Sequence, residues 1–493
     1  MINLKEHIKL TGVYTFFAAF PAILQLIVYP IIEGKDRLGA EDFGYLAIAE
    51  AIVSFVTLFC VFGMNSGISR FFYDDNKVKS DYKSLISTVF IGVLFRGFLV
   101  LILFFFFSDF LGSFFIGSPL QNFNEYGTSL GVAGINRALI GVAIALFRQE
   151  KRIKAFAIVT LFSGVFRASF QILGIFYFDM SFIGYFKGAA IGGGIVSVFL
   201  LVFLFMASGF SFNLKKSKEL RNFSSPIFIS EFLFWGILFA DRFFLLNRPD
   251  QLGIYDNALK LAIGMQFIIQ GLSGAIQPEI FKFLSLGLKK HEIDVKKLSN
   301  LFIAESIAVV AFAIIPAMLF INFFFETSLT ISASIICIVF SKYILMSQYY
   351  VFAFPVLYSK KTKSFIYVSL AMLTINIVLN YFLVPIFGYY GSIIAFLSAF
   401  IFQVITFRII QNKIMPIKWN LRKVFFFPLI LVFLAVCLEI SKVVTDINHF
   451  ITSSVFSGSA ILGLFILYRK EIYDSYKKIL TMTLTKKHIN DNN

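Results

Sequence analysis

The stretch SLISTVFIGVLFRGFLVLILFFFF, from Ser84 to Phe107, carries one charged residue, Arg96, in an otherwise nearly continuous apolar run. A helix needs about 20 such residues to cross the hydrocarbon of a bilayer. The alternative spanning structure, a closed β-barrel, needs shorter segments of alternating character, and no such alternation is present. Runs of the same kind recur along the whole chain. Fourteen candidate spans fall at approximately 10–32, 43–65, 84–107, 126–147, 155–176, 183–208, 223–246, 254–277, 298–321, 329–353, 364–384, 391–410, 424–441 and 450–468. Of 493 residues, 58% are hydrophobic and only 15% charged, and Phe occurs 67 times. The mean hydropathy is +0.83. That leaves too little polar surface for a water-soluble domain. The predicted class is an all-α integral membrane protein with about 14 transmembrane helices.

The formal charge of +16 points to nucleic acid only if the basic residues form a patch. They lie instead between the apolar runs, so no nucleic-acid partner is expected. Most of the 44 Lys and Arg residues fall in the two tails and the even-numbered connections, and the odd-numbered connections hold very few. Excess Lys and Arg marks the cytoplasmic side, which puts both termini in the cytoplasm. Cys60, Cys337 and Cys437 are isolated within apolar segments, which argues against disulfides and thiolate metal sites. The first apolar run contains Pro21 and Pro30 and lacks a small-residue cleavage pattern, so it reads as a retained helix.

The chain repeats itself. Asp42-Phe43-Gly44-Tyr45 is echoed by Leu252-Gly253-Ile254-Tyr255, and Ile183-Gly184-Tyr185-Phe186-Lys187-Gly188 by Phe387-Gly388-Tyr389-Tyr390-Gly391. The separations within the two halves are nearly equal. An even number of spans lies between corresponding points, so both halves keep one orientation in the membrane. The expectation is a six-helix bundle over 1–210, a second over 211–412, and two further helices with a cytoplasmic tail over 413–493.

The segment Arg37-Leu38-Gly39-Ala40-Glu41-Asp42-Phe43-Gly44-Tyr45, followed by Phe62-Gly63-Met64 and Ser69-Arg70, resembles the opening of Wzx-type polysaccharide flippases. These belong to the multidrug/oligosaccharidyl-lipid/polysaccharide (MOP) exporter superfamily. Asp241-Arg242, Gly253-Ile254-Tyr255, Ala258-Leu259-Lys260 and Gln277-Pro278 are similar to that family's second half. The resemblance implies fourteen helices in two parallel bundles. It also implies a transporter that moves undecaprenyl-diphosphate-linked oligosaccharide units, such as O-antigen or capsule, by alternating access.

Ionisable side chains at bilayer depth cost about 2.5–3.5 kcal/mol each on insertion scales, so each asks for a reason. Arg96, Arg137, Arg167 and Lys342 lie near the middle of their spans, and none has an acid three or four residues away. The first half holds a surplus of cation, while the second holds a slight surplus of acid. Arginine suits phosphate because its planar fork donates two parallel hydrogen bonds. These four residues are therefore candidates to line a cationic cavity for the diphosphate or acidic sugars. The competing reading is structural pairing, with Glu50 and backbone carbonyls satisfying the arginines. Glu231, Asp241 and Glu305 are candidates to bind a coupling H+ or Na+, or else to pair with basic helices. Lys187, Arg242 and Lys260 sit towards span ends, where snorkelling or pairing is the simpler account, and Asp256 lies one turn from Lys260. No histidine is expected in a helix, because His7, His291, His449 and His488 all fall in tails or loops, so a His relay is excluded. Pro21, Pro226 and Pro316 are possible bending points, and Gly188, Gly192, Gly193 and Gly194 suit close helix packing.

No phosphate-binding loop is present, since Gly34-Lys35 is followed by Asp36, and no carboxylate or His cluster has metal-ligand spacing. An enzyme and a resident cofactor are therefore not expected. Alternatives within transport are drug export and flipping of a peptidoglycan precursor. A glycan polymerase or ligase is disfavoured by the short outward connections. The expected partners are the lipid-linked glycan, membrane lipid, and the polysaccharide polymerase and chain-length proteins of the same route.

Overall fold

A computed structural model describes residues 4–75, 79–361, 363–445, 447–471 and 473. It is helical throughout, with no β-strand among the described residues. Thirteen of its helical segments are long and apolar enough to span a membrane, and the searched part of the first helix, Ala19–Ile32, is a shorter apolar stretch. The protein is a multi-pass membrane protein. Large apolar side chains lie on the outside, as with Phe95, Phe98, Phe105 and Phe106, while Asn136, Gln171, Gln348, Asn376 and Asn380 are buried. This inversion of the water-soluble pattern is what a hydrocarbon solvent selects.

The chain forms two compact units. The first comprises Met1–Asn257, Phe325–Leu329 and Asn380–Tyr389. It contains α1 (Leu4–Ile32), α2 (Ala40–Val61), α3 (Met64–Asp75), α4 (Lys79–Phe106), α5 (Ser108–Gly112), α6 (Phe123–Gln149), α7 (Ile153–Leu173), α8 (Phe182–Ser208), α9 (Leu214–Phe244) and the start of α10 (Pro249–Ser285). Helix α6 is its centre, packed against α2, α3, α4, α7 and α8. The glycines of α8 allow the tight contact their spacing predicts. A Cβ on Gly188 would sit 1.9 Å from the carbonyl oxygen of Phe170, and one on Gly192 2.5 Å from that of Phe166, both in α7.

The sequence reading runs a span to residue 65 and then a connection. The structure instead ends α2 at Phe62, which adopts a left-handed conformation, and begins a separate helix, α3. Gly63, at φ +69, lies close enough to α9 that a Cβ would be 2.9 Å from the carbonyl oxygen of Ser224. The left-handed conformation and the close approach together require glycine there. The histidine expectation is also corrected: His7, His291 and His449 all fall in the first turns of helices, and His291 itself is non-helical.

The repeated glycines have a reciprocal role within this unit. A Cβ on Gly44 would lie 2.0 Å from the carbonyl oxygen of Pro249, the first residue of α10. A Cβ on Gly253 would lie 1.8 Å from that of Ala40, the first residue of α2. Each half's repeat glycine thus receives the opening turn of the other half's helix, at a separation that excludes any side chain.

The second unit comprises Ala258–Phe324, Thr330–Leu379 and Tyr390–Asn493. It holds the rest of α10, α11 (Leu288–Phe324), α12 (Ser332–Tyr358), most of α13 (Lys363–Phe387), α14 (Tyr389–Ile414), α15 (Phe427–Thr445) and α16 (His449–Leu467). A wider π turn over Arg422–Phe426 precedes α15. Such turns free backbone carbonyls, and here Gln348 Nε2 donates to those of Val424 and Phe425 at 3.0 and 2.9 Å. Beyond α16, Lys423 Nζ meets Glu471 at 2.6 Å, and Asn300 donates to the same carboxylate at 2.9 Å.

Candidate functional site

Three of the predicted ionisable residues come together in the first unit. Glu50 on α2 faces Arg137 on α6 and Arg167 on α7. Arg137 Nη1 lies 2.6 Å from Glu50 Oε1, and Arg167 Nη2 lies 3.6 Å from Oε2. One carboxylate serves two guanidiniums, so the trio carries a net charge of about +1. Arg137 also reaches Ser54 Oγ at 3.4 Å, but its Nε has no partner among the described residues. About a quarter of each side chain is accessible: 28% for Arg137, 27% for Arg167 and 24% for Glu50.

Beside the two arginines lies a cavity of about 200 Å³ walled by α1, α6, α7 and α8. Arg137 and Arg167 line it, and no carboxylate among the described residues does. Taking about 30 Å³ per water, the space holds about six waters or one phosphate-sized anion, far less than an oligosaccharide. A polar network adjoins it. Gln25 Nε2 donates to Gln171 Oε1 at 2.8 Å, and the Tyr185 hydroxyl donates to Gln25 Oε1 at 2.7 Å. Gln171 Nε2 is buried without a partner among the described residues. Asn136, another wall residue, is fixed by donating to the carbonyl of Ala190 at 2.9 Å.

The other two expected members of the cationic set lie elsewhere. Arg96 does not line the cavity. Its Nε donates to the carbonyl of Cys60 at 2.8 Å and its guanidinium lies over the Phe62 ring. It therefore caps the C-terminal end of α2, where free carbonyls attract a cation. Lys342 belongs to the second unit, where its ammonium lies over the rings of Phe396 and Tyr343 at 4.6 and 4.9 Å. That is a cation–π arrangement.

The acids separate into engaged and unengaged groups. Asp241 is filled, with Oδ1 2.9 Å from Arg242 and Oδ2 accepting from the Tyr255 hydroxyl at 2.8 Å. Asp256, expected beside Lys260, is held by Arg242 Nη2 at 2.7 Å. Arg242 thus bridges two buried acids. Glu231 and Glu305 are half-buried, and neither has a hydrogen bond or ion pair among the described residues. Sequence reading missed Glu439 on α15, a buried acid held by Lys442 at 2.7 Å and by the Tyr390 hydroxyl at 3.0 Å. It also missed Gln25 and Gln171, which carry no charge to flag them.

The apolar helices thus surround buried ionisable groups and a small cavity. The solved structures that the chain resembles have the same fold. A lipid II flippase MurJ in an inward closed conformation superposes with a TM-score of 0.68 at 14% identity, covering 93% of this chain and 99% of that one. An inward-facing multidrug resistance MATE family transporter of the MOP superfamily gives 0.59 at 14% identity, over 80% and 94%. An outward-facing transporter of the same description gives 0.55 at 13% identity, over 84% and 96%. The sequence profile of the family described as polysaccharide biosynthesis protein matches residues 37–341, more than half of the chain. The chain belongs to that family. No curated protein matches the sequence.

Proposed function

We propose that the protein flips a lipid-linked oligosaccharide, most simply an undecaprenyl-diphosphate-linked repeat unit, across the bacterial inner membrane, with both termini cytoplasmic. The observation that carries this reading is the half-neutralised arginine pair, Arg137 and Arg167, sharing Glu50 beside an accessible cavity. A site of that charge suits the diphosphate of the carrier, while the sugars and the polyprenyl tail travel outside so small a space. The family membership supports a polysaccharide precursor as cargo. Peptidoglycan-precursor flipping is the second reading, favoured by the likeness to the lipid II flippase; both cargoes present the same diphosphate. Export of cationic drugs fits poorly with guanidiniums on the cavity wall.

Coupling to H+ or Na+ falls to Glu231 and Glu305, because Asp241 is committed to Arg242 and Tyr255. A polymerase and chain-length proteins would receive the product on the far side. The decisive experiment reconstitutes the full chain in vesicles and follows labelled undecaprenyl-diphosphate glycan across the bilayer. Arg137→Gln with Arg167→Gln is expected to stop flipping while protein abundance stays normal. Undiminished flipping by that variant would overturn the assignment of the site.

A further inference from the structure

A second cavity, of about 540 Å³, lies along α6 towards its C-terminus. Helix α3 contributes Asn65, Ser66, Ser69 and Arg70 to it, and α6 contributes Arg148 and Gln149. Gly141 and Ile144 line both cavities. Arg137, Gly141, Ile144 and Arg148 succeed one another at four, three and four residues, which is one face of a helix. At 1.5 Å per residue, the two arginines stand about 16 Å apart along α6. Among the described residues, four arginines and no carboxylate line the two cavities.

The outer cavity is built rather than incidental. Gln149 Nε2 donates to Ser69 Oγ at 2.8 Å, which ties α3 to α6 across its wall. Arg148 is exposed and rests over the Phe156 ring at 5.6 Å. Gly141 is the telling residue. Glycine weakens a helix relative to alanine, and a helix usually keeps it where another backbone presses close. Here a Cβ would meet nothing within 4 Å. Packing does not require glycine at this position, which lines both cavities.

We propose that Arg70 and Arg148 form a receiving station for a phosphate or diphosphate group, which then passes along the α6 face over Gly141 to Arg137 and Arg167. The lipid-linked identity of the cargo rests on the function proposed above, but the passage itself does not. A thiol-labelling experiment on the full chain in sealed vesicles, in a Cys437→Ser background, tests it. Ser66→Cys reports on the outer cavity and Ile140→Cys on the inner one, in vesicles of the orientation that leaves Ser66→Cys reactive to an impermeant reagent. An anionic thiosulfonate reagent is expected to modify Ile140→Cys, and inorganic pyrophosphate to slow it. Arg70→Gln with Arg148→Gln should cut that rate to about a tenth, as loss of electrostatic focusing does, and leave a cationic reagent unslowed. Gly141→Leu, or Ile144→Trp if the first variant fails to reach the membrane, should stop labelling at Ile140→Cys while Ser66→Cys still reacts. Labelling of Ile140→Cys that persists in those variants would overturn the passage, as would anionic and cationic reagents responding alike to the arginine substitutions. A lipid-linked glycan that fails to cross would instead sink the cargo assignment and leave these labelling rates intact.

Discussion

Replacing Glu50 by glutamine removes the shared counter-charge and leaves Arg137 and Arg167 side by side at a net charge of about +2. The shorter contact, 2.6 Å to Arg137, is a charge-assisted hydrogen bond. Such bonds contribute about 1.5–3 kcal/mol, and stranding a fully buried partner costs about 3–5 kcal/mol. About a quarter of each side chain is accessible, so water takes over part of the lost interaction, and the expected destabilisation is about 2–3 kcal/mol. An anion that enters the vacated position recovers some of it. Each 1.4 kcal/mol recovered is a tenfold gain in affinity, so inorganic pyrophosphate is expected to bind Glu50→Gln at least about tenfold more tightly than the unaltered protein. Thermal unfolding of the purified full chain, with and without pyrophosphate, reads both effects. A double-mutant cycle with Arg137→Gln then isolates the pair, and the doubly substituted protein should be more stable than the sum of the single losses predicts. Flipping should slow in Glu50→Gln despite the tighter binding, because the anion is released less readily. Unchanged stability, together with equal pyrophosphate protection of both proteins, would show that the carboxylate does not hold the arginines and would refute the reasoning.

Gly44→Ala and Gly253→Ala each drive a Cβ into a backbone carbonyl, at 2.0 and 1.8 Å, so both should sharply reduce monodisperse protein on gel filtration. Gly264→Ala, where a Cβ meets nothing within 4 Å, should be neutral. Arg242→Met removes the guanidinium shared by two buried acids and should destabilise the fold by about 3–5 kcal/mol; normal thermal stability would contradict the bridge. Glu471 is held below the ordinary glutamate range: burial raises its pKa, but the hydrogen bonds from Lys423 and Asn300 outweigh that. Its contribution is therefore present above the unfolded-state pKa and lost as pH falls through the lowered one. Acid should loosen the segment after α16, read by proteolysis of the C-terminal tail, and Glu471→Gln should abolish that pH dependence.

The membrane class is legible in Ser84–Phe107 alone, because hydrocarbon requires a long apolar helix and little else produces one. The repeated Gly44 and Gly253 were visible as sequence echoes, and the structure supplies their reason: a helix start from the other half lies where a side chain would be. Helix α3 was not legible. Hydropathy runs smoothly through Phe62-Gly63, and only the left-handed backbone there marks the break. The ionisable candidates were found by their cost in lipid, but that cost does not say what discharges it. Arg96, Arg137 and Arg167 look alike in sequence. One caps α2, and two share a carboxylate that lies far from both in the chain. Which arginine meets which partner depends on helix rotation, and the weak amphipathic signal of membrane helices leaves that rotation unspecified. Neutral groups such as Gln25 and Gln171 carry no such cost, so a search for charge passes over them.

The proposed transport also explains why one acid stands against two arginines. A fully paired site, with two acids, would offer an incoming diphosphate no unspent charge, and binding would have to break an ion pair first. An unpaired arginine couple would capture the diphosphate strongly and hold it, which suits a receptor more than a carrier. Glu50 sets the intermediate case: its nearer bond fixes Arg137, and the longer 3.6 Å contact leaves Arg167 more free to turn towards an anion. As the anion arrives, Arg167 exchanges one weak partner for a stronger one, and as it leaves, Glu50 takes the guanidinium back. Transport needs a site that binds well enough to fill and weakly enough to empty, and a shared carboxylate supplies both conditions with the same three side chains.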